Sequence, residues 1–236
     1  MTYLKKNKKQ LKSYVSDAWS ESNYKTKGTW KEIFGDTPEA KAFFITWQYA
    51  TYINYIAKSG REQYNLPMMV NSWIVQKPDD LPGVYPNGGP VSRVIDIWKA
   101  AAPDIDIQSP DIYLDNFKEI VAMYHREDNP LLVPESSAKV GRAYYAFGEH
   151  DAICFSPFGI EDAADNFVFT KSYEVLNEVQ HLIIKYQGTG KIRAVLQEGN
   201  DQYKDLYMGD YKVKVMYEKP NEPSFGIIIQ ENENEK

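Results

Sequence analysis

The sequence predicts an α/β fold with a parallel sheet. Four short apolar segments, each bounded by proline, glycine, asparagine or aspartate, have the length and composition of buried strands. Segments with helical period separate them, and the strand-to-strand steps of roughly 20 to 40 residues match βαβ crossovers. The four predicted strands are residues 67–75, 105–113, 131–135 and 152–160.

A helix is predicted after each of these strands. Pro90 suits the first turn of the first helix, because an N–H at that position would have no intrahelical partner. Ser136 or Ser137 can cap the helix after the third strand. The apolar stripes of the four helices are Val91, Val94, Ile95, Trp98 and Ala102; Leu114, Phe117, Ile120, Val121 and Tyr124; Val140, Ala143, Tyr144 and Phe147; and Tyr173, Leu176, Leu182, Ile183 and Tyr186.

The two ends of the chain differ from this central part. Ahead of the first strand only helices are predicted: Thr29 and Glu32 form a capping-box pattern, and Thr37-Pro38 begins a long helix. Beyond about residue 200 the pattern changes: apolar and polar residues alternate over 211–217, which predicts a half-buried strand, and residues 224–230 are predicted to form another strand. Two strands do not make a stable domain. We therefore expect an α/β domain over 1–200 and the truncated start of a β-rich domain over 201–236.

The composition and the lengths of the apolar segments argue against two classes of partner, nucleic acids and membranes. The chain has 236 residues, of which 43% are hydrophobic and 25% charged, as in a soluble globular protein. Its net charge of −6 disfavours a nucleic-acid partner, which needs a concentrated basic face. No segment approaches membrane-spanning length, so no membrane partner is predicted. Cys154 is the single cysteine, which rules out an intrachain disulfide and leaves the compartment unknown.

The sequence predicts no cofactor and no metal. His125, His150 and His181 lack metal-ligand spacing and fall on predicted helices or at their ends. Gly188-Thr-Gly190 precedes Lys-Ile-Arg, so this stretch is neither a phosphate-binding loop nor a dinucleotide fingerprint. The G-x-S-x-G pattern of a nucleophile elbow does not occur in the sequence.

The ends of the predicted strands carry the candidate chemistry, because function in parallel α/β folds collects at the carboxyl ends of strands. Aromatic rings there could stack on pyranoses, amides and carboxylates could bind hydroxyl groups, and a carboxylate could perform a substitution. Glu135 is the best-placed carboxylate. The alternative is that Glu135 is a helix-start residue stabilised by the helix dipole. The side chains at the strand ends are Asn71, Ser72, Trp73, Asp111, Tyr113, Glu135, Ser156, Phe158 and Glu161.

Four stretches carry a family resemblance. They are LPMMVNSWIV, LPGVYPNGGPVSRVIDIWKAAAPDIDIQSPDIY, NPLLVPESS and HDAICFSPFGIED. They resemble the β-galactosidase-like glycoside hydrolases of family 35 and their relatives, and more narrowly the bacterial members whose (β/α)8 barrel precedes a β-rich domain of unknown function. The similarity runs from roughly residue 3 to residue 230. It implies that residues 1–200 are the C-terminal half of a TIM barrel, strands five to eight, with preceding helices.

The resemblance also implies an activity and a set of site residues. Such enzymes are retaining hydrolases of terminal β-galactosides, in oligosaccharides or polysaccharides. Glu135, in VPES, matches the nucleophile at the end of barrel strand seven, and Tyr113, in DIY, matches the tyrosine that orients it. Asn71, Trp73 and Phe158 match sugar-contacting positions.

One part of the family pattern is missing. The general acid/base of these enzymes is a glutamate, usually after an asparagine, at the end of strand four, and no strand is predicted before residue 67. Asn177-Glu178 lies in a helical stripe, and Asn221-Glu222 lies in the β-rich segment. We therefore expect a fragment that carries the nucleophile but lacks the acid/base, so that alone it is inactive or nearly so on natural galactosides. We also expect it to self-associate or to pair with a missing N-terminal half. The alternative is a non-catalytic carbohydrate-binding or remnant protein.

Overall fold

The fold is mixed α/β, with a four-stranded parallel sheet flanked by helices, which confirms the predicted α/β class with a parallel sheet. A computed structural model describes residues 1–85, 88–163, 167–218 and 224–231. The chain divides into two compact units, Met1–Asp111 and Ile112–Lys236. Among the described residues, no helix combines the length and the apolar character that crossing a membrane requires.

The first unit is mainly helical. Its elements are α1 (Thr2–Lys6), α2 (Ser13–Ser20), α3 (Trp30–Phe34), α4 (Pro38–Gln63), β1 (Met69–Trp73), a 3₁₀ turn (Ser92–Val94), α5 (Ile95–Ala101) and β2 (Ile107–Ile112), the last residue of which falls in the second unit. β1 and β2 pair in parallel, from Met69 opposite Ile107 to Trp73 opposite Asp111. The first two predicted strands are therefore present, each shorter by a few residues.

The helix starts predicted near the N-terminus are confirmed. Thr29 and Glu32 form a reciprocal capping box at α3, and the Thr37 hydroxyl accepts a hydrogen bond from the N–H of Ala40 at the start of α4. The prediction for Pro90 is wrong, because α5 begins only at Ile95. A 3₁₀ turn precedes it, held by the N–H of Val94 donating to the carbonyl of Val91, 3.0 Å away.

The second unit joins two kinds of sheet. Its elements are α6 (Phe117–Tyr124), β3 (Leu132–Ser136), α7 (Val140–Glu149), β4 (Cys154–Pro157), a 3₁₀ turn (Ile160–Ala163), α8 (Phe167–Tyr186), β5 (Ile192–Leu196), β6 (Tyr203–Met208), β7 (Tyr211–Met216) and β8 (Phe225–Ile229). β3 and β4 are parallel, whereas β5 pairs with β8 and β6 pairs with β7 in antiparallel fashion.

One prediction for the second unit is wrong, and two of its strands were not predicted. Neither Ser136 nor Ser137 caps α7, since the N-cap residue is Lys139 and no side chain caps it. Ser136 instead belongs to β3, where its buried hydroxyl donates to the carbonyl of Ile112. The strands predicted at 211–217 and 224–230 are present as β7 and β8, but β5 and β6 were not predicted.

Helix α7 packs closely against the β5–β8 pair because it carries glycine at two contact positions. A Cβ atom at Gly148 would lie 2.9 Å from the Cβ of Ala194, and one at Gly141 would lie 2.8 Å from side-chain carbons of Leu196 and Phe225. Both distances are shorter than carbon atoms tolerate. The two glycines therefore allow this helix to contact the antiparallel pair directly.

Candidate functional site

The structure brings Tyr113 and Glu135 into direct contact. Tyr113 directly follows β2, and Glu135 is the second-last residue of β3. The Tyr113 hydroxyl donates a hydrogen bond to Glu135 Oε1 at 2.5 Å, and both side chains are half-buried. A bond this short is typical of a hydroxyl that donates to a carboxylate. The phenol therefore fixes the direction in which the Glu135 carboxylate points.

Glu135 belongs to a strand and not to a helix start. Helix α7 begins at Val140, with Lys139 as its N-cap, so Glu135 lies too far upstream to interact with the first turn. The pairing of β3 with β4 is irregular between Val133 and Ser136. Pro134 lies in this interval and has no N–H to donate. Irregular strand pairing of this kind redirects side chains, and it recurs next to active sites.

Phe158 follows β4 beside the end of β3. Its N–H donates a hydrogen bond to the carbonyl of Ser136 at 2.8 Å, which holds the Phe158 backbone beside the residue that follows Glu135. The Phe158 ring is 69% exposed. An exposed ring at the carboxyl ends of parallel strands can present its face to a ligand, as the predicted role in sugar stacking requires.

The site residues predicted on β1 form a separate group in the first unit. The Asn71 amide donates to both carboxylate oxygens of Asp111, at 2.9 and 3.0 Å. Asp111 is only 8% exposed, and Trp73, its partner in the strand register, is 39% exposed. Asn71 is thus held by a protein carboxylate, and Trp73 presents its ring to solvent.

The hydrogen bonds between Asn71 and Asp111 are not predicted by the sequence. Asp111 and Tyr113 are two positions apart at the end of the same predicted strand, and side chains so spaced share a face. This spacing is the feature of the sequence that could have identified Asp111 as a site residue. The particular amide that Asp111 accepts from depends on the register between β1 and β2, which the sequence does not reveal.

The two histidines of the second unit contact each other. His125 and His150 are the C-cap residues of α6 and α7, and their Nδ1 atoms are 3.1 Å apart. Burial lowers the pKa of His150 to about 4, and His125 acts in the same direction, against smaller opposing effects of Glu149 and Asp151. In the part of the chain that the structure describes, no three potential ligands are grouped to hold a metal ion.

We expect the free energy of unfolding to fall as the pH drops from about 6.5 to about 4. The unfolded chain takes up a proton on His150 in this range, whereas the folded chain does not, so protons favour unfolding. The slope contributed by one such group is at most about 1.4 kcal/mol per pH unit. Urea unfolding at several pH values measures it, with His150→Gln as the comparison. Equal slopes for the two proteins over this range would contradict the prediction.

Comparison with known proteins adds one match. Residues 169–235 match a family described as a domain of unknown function, DUF5597. The matched range includes most of α8 and the four strands β5 to β8. No curated protein matches the chain.

Proposed function

We propose that this chain is the nucleophile-bearing part of a retaining glycoside hydrolase acting on terminal β-galactosides. The observation that carries the proposal is the 2.5 Å hydrogen bond from Tyr113 to Glu135 at the carboxyl ends of the parallel strands. Retaining hydrolases need a carboxylate held in one orientation for attack on the anomeric carbon. The resemblance of the NPLLVPESS and DIY stretches to family 35 supports the same assignment.

In the proposed mechanism, Glu135 forms a covalent bond to the sugar. Its carboxylate oxygen attacks the anomeric carbon as the bond to the leaving-group oxygen breaks, which gives a glycosyl ester. Water then attacks the same carbon and releases Glu135 as a carboxylate. A second carboxyl group, about 5–5.5 Å from the first, protonates the leaving oxygen and later deprotonates the water. Our proposal assigns that group to no residue of this chain.

Tyr113 keeps the attacking carboxylate in place during these steps. As a donor to Oε1, the phenol restrains the rotation of the Glu135 carboxylate. The other oxygen, Oε2, is then the natural attacking atom. Asn71, Trp73 and Phe158 are the proposed sugar contacts: the two rings would stack on pyranose faces, and the amide would bind a hydroxyl group.

Covalent trapping tests the proposal. A 2-deoxy-2-fluoro-β-galactoside with a dinitrophenolate leaving group reacts once and then stalls, because fluorine destabilises the cationic transition state of the second step while the leaving group accelerates the first. We expect mass spectrometry to find one fluorogalactosyl group, on the peptide that contains Glu135. Label on another residue would overturn the role of Glu135. The corresponding fluoroglucoside serves as the control for sugar specificity.

The exposed rings of Trp73 and Phe158 favour a second candidate, a carbohydrate-binding protein without turnover. Such a protein would retain these exposed rings and have no need of a reactive carboxylate. Calorimetry that detects galactoside binding, together with complete absence of label, would support this candidate over the hydrolase.

A further inference from the structure

Arg142 has a buried guanidinium group that binds the backbone on both sides of Tyr113. It lies on α7 and is 2% exposed. Its Nη1 donates to the carbonyl of Ile112 at 3.0 Å, and its Nη2 donates to the carbonyl of Leu114 at 2.6 Å. These two carbonyls flank Tyr113 in the chain. The guanidinium therefore spans the residue that carries the phenol.

The same guanidinium reaches the strand that carries Glu135. Its Nη1 also donates to the hydroxyl of Ser136, the residue after Glu135, at 3.2 Å. The Ser136 hydroxyl in turn donates to the carbonyl of Ile112 at 2.8 Å. Because the guanidinium is planar and its donors have fixed directions, these contacts fix the two segments relative to each other.

Arg142 does not form an ordinary buried ion pair. Its nearest carboxylate contact, Asp115 at 3.9 Å, is 89% exposed and also binds Lys139 at 2.6 Å. Burial lowers the pKa of Arg142, with Asp115 and Glu198 acting in the opposite direction. The Phe117 ring lies 5.1 Å from the guanidinium carbon. A buried cation is costly, and an apolar side chain often serves stability as well or better.

We propose that Arg142 is a positioning residue, which holds the ends of β2 and β3 so that the Tyr113 hydroxyl reaches Glu135. The expected effect of Arg142 on the reactivity of Glu135 rests on the proposed function. The geometric part of the inference concerns only the hydrogen bond between the Tyr113 phenol and the Glu135 carboxylate. The two parts can therefore be measured separately.

The geometric part is tested by proton NMR of the Tyr113 hydroxyl. In a short hydrogen bond this proton exchanges slowly and resonates downfield, and its loss in Tyr113→Phe assigns the signal. We expect the signal to vanish in Arg142→Met, which removes all three hydrogen bonds of the guanidinium. It should weaken in Arg142→Lys, whose single ammonium cannot reach both carbonyls and the hydroxyl at once.

The matched control is Arg193→Met. Arg193 lies in the same unit, where its Nε donates to the Glu149 carboxylate at 2.9 Å and its Nη1 donates to the carbonyl of Tyr207 at 3.0 Å. Among the residues that the structure describes, its hydrogen bonds therefore reach neither Tyr113 nor Glu135. This variant should retain the hydroxyl signal. If Arg142→Met does not fold, Arg142→Lys carries the test. A hydroxyl signal of wild-type position and intensity in Arg142→Lys or Arg142→Met would overturn the inference.

The consequence for reactivity is tested by the rate of Glu135 labelling with the fluorogalactoside. A displacement of about 1 Å can cost on the order of 100-fold in rate, so we expect a loss of this size in Arg142→Met. Labelling at the wild-type rate, with the hydroxyl signal lost, would overturn the positioning role. If the wild-type protein takes up no label, the proposed function fails, and the NMR result still decides the geometric part.

Discussion

Aryl β-galactosides with acidic leaving groups are expected to be cleaved by this protein far faster than lactose. General acid catalysis contributes about 10²–10⁴ in rate, and the proposal assigns no acid to this chain. A dinitrophenolate departs without a proton, whereas the sugar alkoxide of lactose needs one. Initial rates for dinitrophenyl, nitrophenyl and methyl β-galactosides should therefore fall steeply as the leaving group becomes more basic.

Azide tests whether the second step of the mechanism, the attack of water on the glycosyl ester, lacks a general base. Water needs a base to attack the glycosyl ester, whereas azide attacks without losing a proton. Added azide should therefore accelerate turnover of the dinitrophenyl substrate and yield the β-galactosyl azide, since two displacements restore the original configuration. The dinitrophenyl α-galactoside is the control and should not react. Hydrolysis of lactose at ordinary enzymatic rates would show that an acid/base is present after all.

Glu135→Gln is expected to abolish both labelling and aryl-galactoside cleavage. The amide has nearly the shape of the carboxylate and can still accept from Tyr113, so the fold should persist while the nucleophile is lost. Removing a nucleophile costs on the order of 10⁴ or more in rate. Tyr113→Phe should cost less, roughly 10- to 100-fold, because one hydrogen bond to a charged group contributes about 1.5–3 kcal/mol.

Glu161→Gln is the matched control for this comparison. Glu161 is an exposed carboxylate in the 3₁₀ turn after β4, and the proposal gives it no role. Rates are measured with the dinitrophenyl substrate, and circular dichroism checks the fold of each variant. Unchanged cleavage by Glu135→Gln would refute the assignment of the nucleophile. A loss in Glu161→Gln comparable to that in Glu135→Gln would reassign the carboxylate.

Local patterns predicted much of this fold. The four parallel strands and the capping box at Thr29 depend on residues close together in sequence, so periodicity and side-chain type were enough to find them. The misses have a different cause. Strand β5 forms by pairing with β8, from Ile192 opposite Ile229 to Leu196 opposite Phe225. Its apolar run, IRAVL, reads equally well as the end of a helix until that partner is known.

The serine prediction failed for a related reason. Ser136 has the side chain of a helix cap, and its position after a strand made that role reasonable. In the structure its hydroxyl donates a hydrogen bond to the carbonyl of Ile112 and accepts one from the guanidinium of Arg142. These partners are 24 and 6 residues away in sequence. Long-range hydrogen bonds of this kind override a local preference because a buried hydroxyl must be satisfied.

The sequence by itself determined which residues end the strands, and so which carboxylate, phenol and rings were candidates. Tertiary structure alone decided that the Tyr113 phenol meets the Glu135 carboxylate across 22 residues of chain, and that a buried arginine from the following helix binds beside them. The physical reason is that strand ends follow from local periodicity, whereas a hydrogen bond between two strand ends depends on register and backbone geometry. The register and the backbone geometry are fixed only when the strands and α7 pack together.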